Sequence, residues 1–225
     1  MPDHKSIYSQ EAQNYQRLVG REDYQGNILK AIRGLMPIEG IDVVETGAGT
    51  GRLTCLLAPY VRSIQAFDSS DAMLDVARDR LTEMGQHNWS AGVADHRGLP
   101  AADACADLAI SGWSVCYLVD WNRGDWKPDV AKALSEMQRV LRSGGKIVLI
   151  ETQGTGFETP HPPQHLLDYY EFLKEQGFEN TWFRSDYEFE SIAEARELTE
   201  FFFGKELADQ FSGRILPECT GIWWK

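Results

Sequence analysis

Apolar side chains along the chain recur with two alternating periods, and the alternation predicts strands and helices in turn. Residues 41–44, 63–68, 88–94, 107–111 and 146–150 read as five strands, the first a β-branched run and the fourth a buried one. Helical spacing separates them. Leu53, Leu56 and Leu57 follow the first strand, residues 72–81 follow the second, and Val130, Ala133, Leu134, Met137, Val140 and Leu141 precede the fifth, where Ser143-Gly144-Gly145 is the expected stop. Ahead of the strands, apolar positions from Ile7 to Leu35 predict two helices, the second starting near Tyr24 and ended by Gly34 and Pro37. Behind them, residues 166–176 read as a helix and 179–189 as a strand. Ser191-x-x-Glu194 is a capping box opening a helix through Phe203, and 219–224 reads as a last apolar strand. The aromatic run 201–203 is expected to pack that helix on the sheet. The pattern is that of an α/β protein.

Between the first strand and its helix stands Glu45-Thr46-Gly47-Ala48-Gly49-Thr50-Gly51-Arg52. Glycine lacks Cβ, so Gly47, Gly49 and Gly51 let the backbone bend sharply and let a ligand lie directly on it. The helix behind offers unpaired N–H groups to a carboxylate or phosphate. The dinucleotide fingerprint needs G-x-G-x-x-G, whereas here the spacing is G-x-G-x-G and Arg52 takes the third glycine's place. That spacing, with Glu45 two residues ahead, resembles the first motif of the class I, Rossmann-like S-adenosylmethionine (SAM) methyltransferases of small-molecule type. The same turn also serves any α/β domain as a plain strand-to-helix connection.

Other residues extend the resemblance over roughly residues 40–152. Asp68 ends the second strand 17 residues beyond Gly51, where a carboxylate can accept both hydroxyls of a ribose or cap the next helix behind Ser69-Ser70-Asp71. Asp95 followed by Leu99-Pro100 is similar to the family's adenine-side segment, and residues 139–151 to its leucine-x-proline-glycine-glycine segment, with Ser143 where proline is common. The resemblance implies a three-layer sandwich around a seven-stranded, mostly parallel sheet with an antiparallel C-terminal strand. It also implies S-adenosyl-L-methionine as cofactor and S-adenosyl-L-homocysteine (SAH) as product. It gives Glu45 the cofactor's methionine end, Gly47, Ala48, Gly49 and Gly51 its backbone cradle, Ser69 and Met73 the flanks of adenine, Asp95 the adenine amino group, and His96 a ring nitrogen through its backbone. Met73 is equally a core position, and Asp95 equally an Asx turn.

Strand ends on one edge of a parallel sheet line the ligand crevice, which places Ser111, Trp113 and Ser114 there, Trp113 as a substrate wall or as core. The Trp-containing loop 121–128 is expected on the same rim. The resemblance implies an N-terminal arm covering the cofactor, which gives Tyr15 and Tyr24 places near it; packing on the core is the alternative for each. Loop 154–164, broken by prolines, carries His161, with His165 just beyond it; both are candidates for proton handling or substrate contact, and neither is expected to hold a metal. One domain is expected over 1–225, with a helical cap at 1–37, a cofactor core at 41–152, and a lid loop, substrate-side helices and terminal strands at 153–225.

Composition narrows the partners. With 22 Lys plus Arg against 34 Asp plus Glu, the charge of −12 opposes nucleic acid and anionic membranes and favours a small-molecule acceptor. The asparagine-proline-proline-tyrosine motif of base and glutamine methylation is absent after the fourth strand, where Ser111-Gly112-Trp113-Ser114 stands. Cys55, Cys105, Cys116 and Cys219 lack C-x-x-C spacing, and Met1-Pro2-Asp3-His4-Lys5 leads into no apolar run, so reduced thiols in the cytoplasm are expected. The expected activity is methyl transfer by in-line displacement. A non-catalytic SAM-binding sensor or partner subunit and an NAD-linked oxidoreductase stand as alternatives; the acceptor atom and oligomeric state are not readable.

Overall fold

The computed structural model describes residues 4–122 and 124–225. Residues 1–3 of the expected N-terminal cap, and residue 123 of the expected 121–128 loop, lie outside the described part.

Seven strands form the central sheet: β1 (Asp42–Thr46), β2 (Ser63–Asp68), β3 (Trp89–Val93), β4 (Ala106–Gly112), β5 (Leu141–Thr155), β6 (Glu179–Arg184) and β9 (Glu218–Trp224). Their order is β3-β2-β1-β4-β5-β9-β6. β1 pairs in parallel with β2 on one side and β4 on the other, so the chain runs outward from β1 in both directions and opens a crevice at the β1/β4 strand ends. β9 is antiparallel to both β5 and β6. A separate pair, β7 (Tyr187–Glu188) with β8 (Ile215–Leu216), lies apart from the sheet.

Burial on both faces explains the unbroken apolar strands. Val43, Ile64, Leu108, Ile110, Val148 and Ile150 face α3 (Asn27–Leu35) and α4 (Arg52–Leu57), with Leu81 of α5 (Asp71–Glu83) in the same cluster. Val44, Phe67, Ala109, Ile147 and Leu149 face α7 (Lys127–Val140) and α8 (Leu167–Glu175). The result is the three-layer sandwich that the resemblance implied. Ser70 caps α5, its Oγ accepting from Met73 N at 3.4 Å. Ser191 Oγ accepts from Glu194 N, and Glu194 Oε2 reaches back to Glu190 N, fixing the start of α9 (Ile192–Phe203).

Four expectations change. The arm before the sheet holds three helices, α1 (His4–Gln10), α2 (Ala12–Val19) and α3, because Glu11 leaves the helical region at φ −124° and ψ 29°; α3 starts at Asn27, where the carboxylate of left-handed Asp23 (φ 59°) caps Asn27 and Ile28. Helix α7 stops at Val140, ahead of the glycine pair, which instead carries β5 past a register shift against β4. A Cβ at Gly145 would stand 2.9 Å from Asp107 O, so this close approach needs glycine. Residues 179–189 are two strands, because Ser185 and Asp186 turn inward, Ser185 Oγ to Glu22 and Thr220, Asp186 to Arg184 and Glu218 N. A short helix, α6 (Tyr117–Trp121), stands where the polar loop 121–128 was expected to begin.

The N-terminal arm and α9 roof the crevice together. His4 Nε2 lies 3.2 Å from Phe202 O, and the two rings stack at 4.6 Å. Phe202 and Phe203 thus meet the arm and the β7–β8 pair, packing with Leu18, Tyr187 and Phe189 rather than on the main sheet. Helix α10 (Lys205–Gln210) follows.

Candidate functional site

The glycine turn is built by the strand beside it. Gly47 N and Ala48 N donate to Phe67 O at 2.7 and 2.9 Å, and Gly49 N donates to Asp68 Oδ2 at 2.8 Å. Gly47 and Gly51 sit at φ 73° and 76°, in the left-handed region that favours glycine. A Cβ on Gly47 would fall 1.9 Å from Ser114 Oγ, and one on Gly51 2.9 Å from Ala77 Cβ, so the neighbours require bare backbone at both.

Around this turn opens an inner chamber of about 430 Å³. The structure brings Glu45, Gly47, Ala48, Gly49, Asp68, Ser69, Met73, Asp95, His96, Trp113, Ser114 and Tyr15 to its wall. Gly51 lies one step behind, against α5. Two further expected residues are absent from it. Tyr24 lies in the turn between α2 and α3, 44% exposed and outside both chambers, because the Asp23 bend keeps it out of the helical register of α3. Ser111 points into the core on the Ala109 face of β4, 1% exposed, and Gly112 lines the chamber in its place.

Asp68 fastens the turn to the next helix. Besides Gly49 N, its carboxylate accepts from Ser70 N at 2.8 Å, while the helix cap itself falls to Ser70. Burial raises its pKa, opposed by those backbone donors. Glu45 is 1% exposed and accepts from Thr54 Oγ1 at 2.6 Å; burial pushes its pKa up to about 8, against the Thr54 bond, with Asp68 adding to the rise. The pair is a concentration of poorly hydrated acid that a cation would relieve. Asp95 differs: the Arg97 fork holds both its oxygens, at 2.7 and 2.8 Å, and keeps its pKa at about 2.

The His96 side chain was not foreseen as part of the site. Its Nδ1 lies 2.7 Å from Thr46 Oγ1 and its Nε2 3.0 Å from Ser114 Oγ, tying the end of β1 to the loop after β4. Burial lowers its pKa to about 4, so the ring is neutral at pH 7, and the two hydroxyls satisfy either tautomer. Arg52, noted only for displacing a glycine, stacks 3.6 Å over the Trp113 ring and pairs with Glu22 at 2.6 Å. Trp113 holds a left-handed φ of 49° to present that face.

Beyond Trp113 and Arg52 lies an outer chamber of about 870 Å³. The two chambers share Tyr8, Tyr15, Arg52, Trp113, Tyr117 and Trp121 as a common wall. Tyr8 OH donates to Tyr117 OH at 2.5 Å, closing that wall from the N-terminal arm. His161 and His165 line the outer chamber only. The His161 ring stacks on Phe157 at 4.2 Å, and its backbone N–H donates to Gln153 O; His165 Nε2 lies 3.5 Å from Asp120 Oδ1. Among the described residues no group of three or more His, Cys, Asp or Glu is placed to hold a metal ion, and no helix is long and apolar enough to cross a membrane.

The family model of the methyltransferase domain matches residues 44–149. A demethylmenaquinone methyltransferase of Clavibacter sepedonicus is 31% identical over 131 residues, 58% of this chain and 47% of that protein. A malonyl-[acyl-carrier protein] O-methyltransferase of Serratia marcescens is 28% identical over 151 residues, 67% of this chain and 52% of that one. The chain spans about half the length of these curated relatives. A SAM-dependent methyltransferase from Aquifex aeolicus shares the fold with a TM-score of 0.57 at 15% identity, covering 99% of this chain and 93% of that one. The glycine turn, the acid closing β2, the sheet order and the match over residues 44–149 together give the chain a methyltransferase domain of the class I, Rossmann-like kind.

Proposed function

We propose that the protein transfers a methyl group from SAM to a small molecule, with the donor in the inner chamber and the acceptor in the outer one. The observation that carries this is the pair of chambers meeting across Trp113 and Arg52 at the sheet's switch point. The donor supplies an activated methyl: the acceptor's lone pair forms the new bond while the carbon–sulfur bond breaks, its electrons going to sulfur and leaving SAH. The chain's own groups bind and align. The turn lines the chamber from Gly47 to Thr50, where a ligand can lie against its backbone, Asp68 faces the chamber where it can receive ribose hydroxyls, and Met73 and Ser69 flank the space beside it. Tyr8, Tyr15 and Tyr117 screen the junction from water. Alignment of this kind supplies much of the rate for a donor that needs no further activation. Where the acceptor is a hydroxyl, its proton must leave with the new bond, and His161 or His165 on the outer rim can take it.

Titration calorimetry with SAH tests the cofactor, and turnover of labelled SAM across an acceptor panel tests the activity. SAH binding with turnover of at least one acceptor is expected; binding without any turnover would mark a sensor or partner subunit. Protection against thermal unfolding by NAD and none by SAH would move the chain to oxidoreductases.

Glu45 adds a signed expectation. In the ligand-free protein its carboxyl is mostly protonated at pH 7, since burial holds the pKa at about 8. An ammonium group bound beside it favours the ionised form, so SAH binding at pH 7 should release a proton. Affinity should rise between pH 6 and 8 by up to roughly tenfold per unit, the limit for one linked proton. Calorimetry in buffers of different ionisation heat reads the proton directly, and Glu45→Gln should abolish it. Proton uptake, or release unchanged in Glu45→Gln, would remove Glu45 from the methionine end.

A further inference from the structure

The outer chamber has a charge balance that says what can fill it. Its walls are largely aromatic, with Tyr8, Tyr117, Trp121, Phe157, Phe202 and Tyr187 among them. Four carboxyl groups also line it, Glu22, Asp120, Glu206 and Glu218, against one arginine and three histidines, and burial beside Glu22 raises the pKa of Glu218. That arginine is committed: Arg52 pairs with Glu22 and stacks on Trp113. Asp120 faces His165.

Glu218 is different. It lies at the start of β9, 2% exposed, and forms no ion pair among the described residues. Oε1 accepts from Thr152 Oγ1 at 2.8 Å, while Oε2 is buried with no hydrogen-bond partner. A buried carboxyl oxygen without a donor is a standing penalty that a ligand's N–H groups would remove. Neither the expected lid residues nor the cofactor cradle accounts for it, since the inner chamber does not reach it.

We propose that the outer chamber takes an apolar, ring-bearing molecule carrying an amino group, and that Glu218 receives that amino group as a specificity-determining residue. An ammonium brings both the donors that Oε2 lacks and a positive charge that favours the ionised form of the buried acid, and aromatic faces add to the attraction for a cation. A carboxylate or phosphate on the ligand would meet four acids and no uncommitted arginine. The ring system would lie against the aromatic walls, whose volume exceeds what a small aliphatic amine fills. As the acceptor's identity this rests on the methyltransferase reading; as a binding preference it does not.

The test is calorimetry on SAH-saturated protein with three near-isosteric probes, tryptamine, 3-propylindole and indole-3-propionate. Tryptamine should bind at least tenfold tighter than 3-propylindole, and indole-3-propionate should bind weakest. In Glu218→Gln the advantage of the amine should fall below threefold, while 3-propylindole and SAH bind as in the parent. Glu218→Asp, which keeps the charge on a shorter arm, should retain part of the advantage. Equal binding of tryptamine and 3-propylindole, an amine advantage that survives in Glu218→Gln, or tightest binding by the carboxylate would each overturn the proposal, and the parent comparison alone decides if a variant does not fold. The heat of SAH binding is read first on the same sample. Its absence would sink the cofactor assignment, and the three-probe comparison would then be run on ligand-free protein with the same decisive outcomes.

Discussion

Gly47→Ala should yield a protein that melts well below the parent and no longer binds SAH. The added methyl meets Ser114 Oγ at 1.9 Å, Ser114 Cβ at 2.3 Å and His96 Cε1 at 2.8 Å. None of these is the far end of a flexible chain, and His96 is itself held by Thr46 and Ser114. Left-handed backbone at φ 73° adds about 1–2 kcal/mol for any residue with a Cβ, and forced overpacking about 1–3 kcal/mol more. For a chain of this size that is a drop of roughly 4–20 °C in Tm. The turn can escape only by moving Gly47 or the Ser114 loop, and both form the chamber wall. Gly34→Ala is the control: it lies inside α3 with nothing within 4 Å of a new Cβ, so it should hold or slightly raise Tm. Ser114→Gly in the Gly47→Ala background removes both Ser114 atoms that clash and should recover part of the loss. Scanning calorimetry and SAH titration read all four proteins. SAH binding within threefold of the parent in Gly47→Ala would show that the turn does not carry the ligand.

Local chemistry made the turn readable. Three glycines at alternate positions, an acid at the end of the next strand and apolar runs of the right length need no tertiary information, and the structure sets Gly47, Gly49 and Asp68 round one chamber with Gly51 just behind. What failed to be readable depends on distant parts of the chain meeting. Glu22 and Glu218 are separated by nearly the whole sequence, and only closure of the arm over β9 puts both on the outer chamber. The His96 bridge joins residues 50 and 18 positions away, so its isolated position in a loop gave no hint. Tyr24 and Ser111 failed for local reasons instead. Asp23, with Gly26 just beyond, was a helix-start signal inside a stretch whose apolar spacing looked continuous. Ser111 shares the two-residue alternation of β4 with Ala109, which sends it into the core rather than to the strand's end.

The arm deserves weight in any account of acceptor choice. It contributes Tyr8 and Tyr15 to the common wall, while Glu22, in the turn beyond α2, holds Arg52 against Trp113. Arg52 stands where a dinucleotide-binding turn would place glycine, so the departure that argues against a dinucleotide also builds the partition between chambers. Residues that carry the family resemblance line the inner chamber, and the outer one is lined mostly by residues outside that resemblance.

Asp68→Ala should weaken SAH binding about 100-fold, near 2.7 kcal/mol, the scale of one or two hydrogen bonds to a charged acceptor. Two roles could produce that loss. As observed, the carboxylate ties Gly49 N and Ser70 N together, so its removal could loosen the turn. As proposed, it also accepts from ribose hydroxyls, so its removal could cost contacts to the ligand itself. A cycle crossing the mutation with the ligand separates the two. Adenosine and 2′,3′-dideoxyadenosine are titrated into parent and Asp68→Ala, together with Asp68→Asn, which keeps one acceptor oxygen and loses the charge. If the carboxylate holds the sugar, the parent should prefer adenosine by at least tenfold, Asp68→Ala should show almost no preference, and Asp68→Asn should fall between. If it serves only to fasten the turn, both nucleosides should weaken equally and the preference should persist. That second outcome would leave Asp68 a positioning residue and would require another group on the inner wall to hold the ribose.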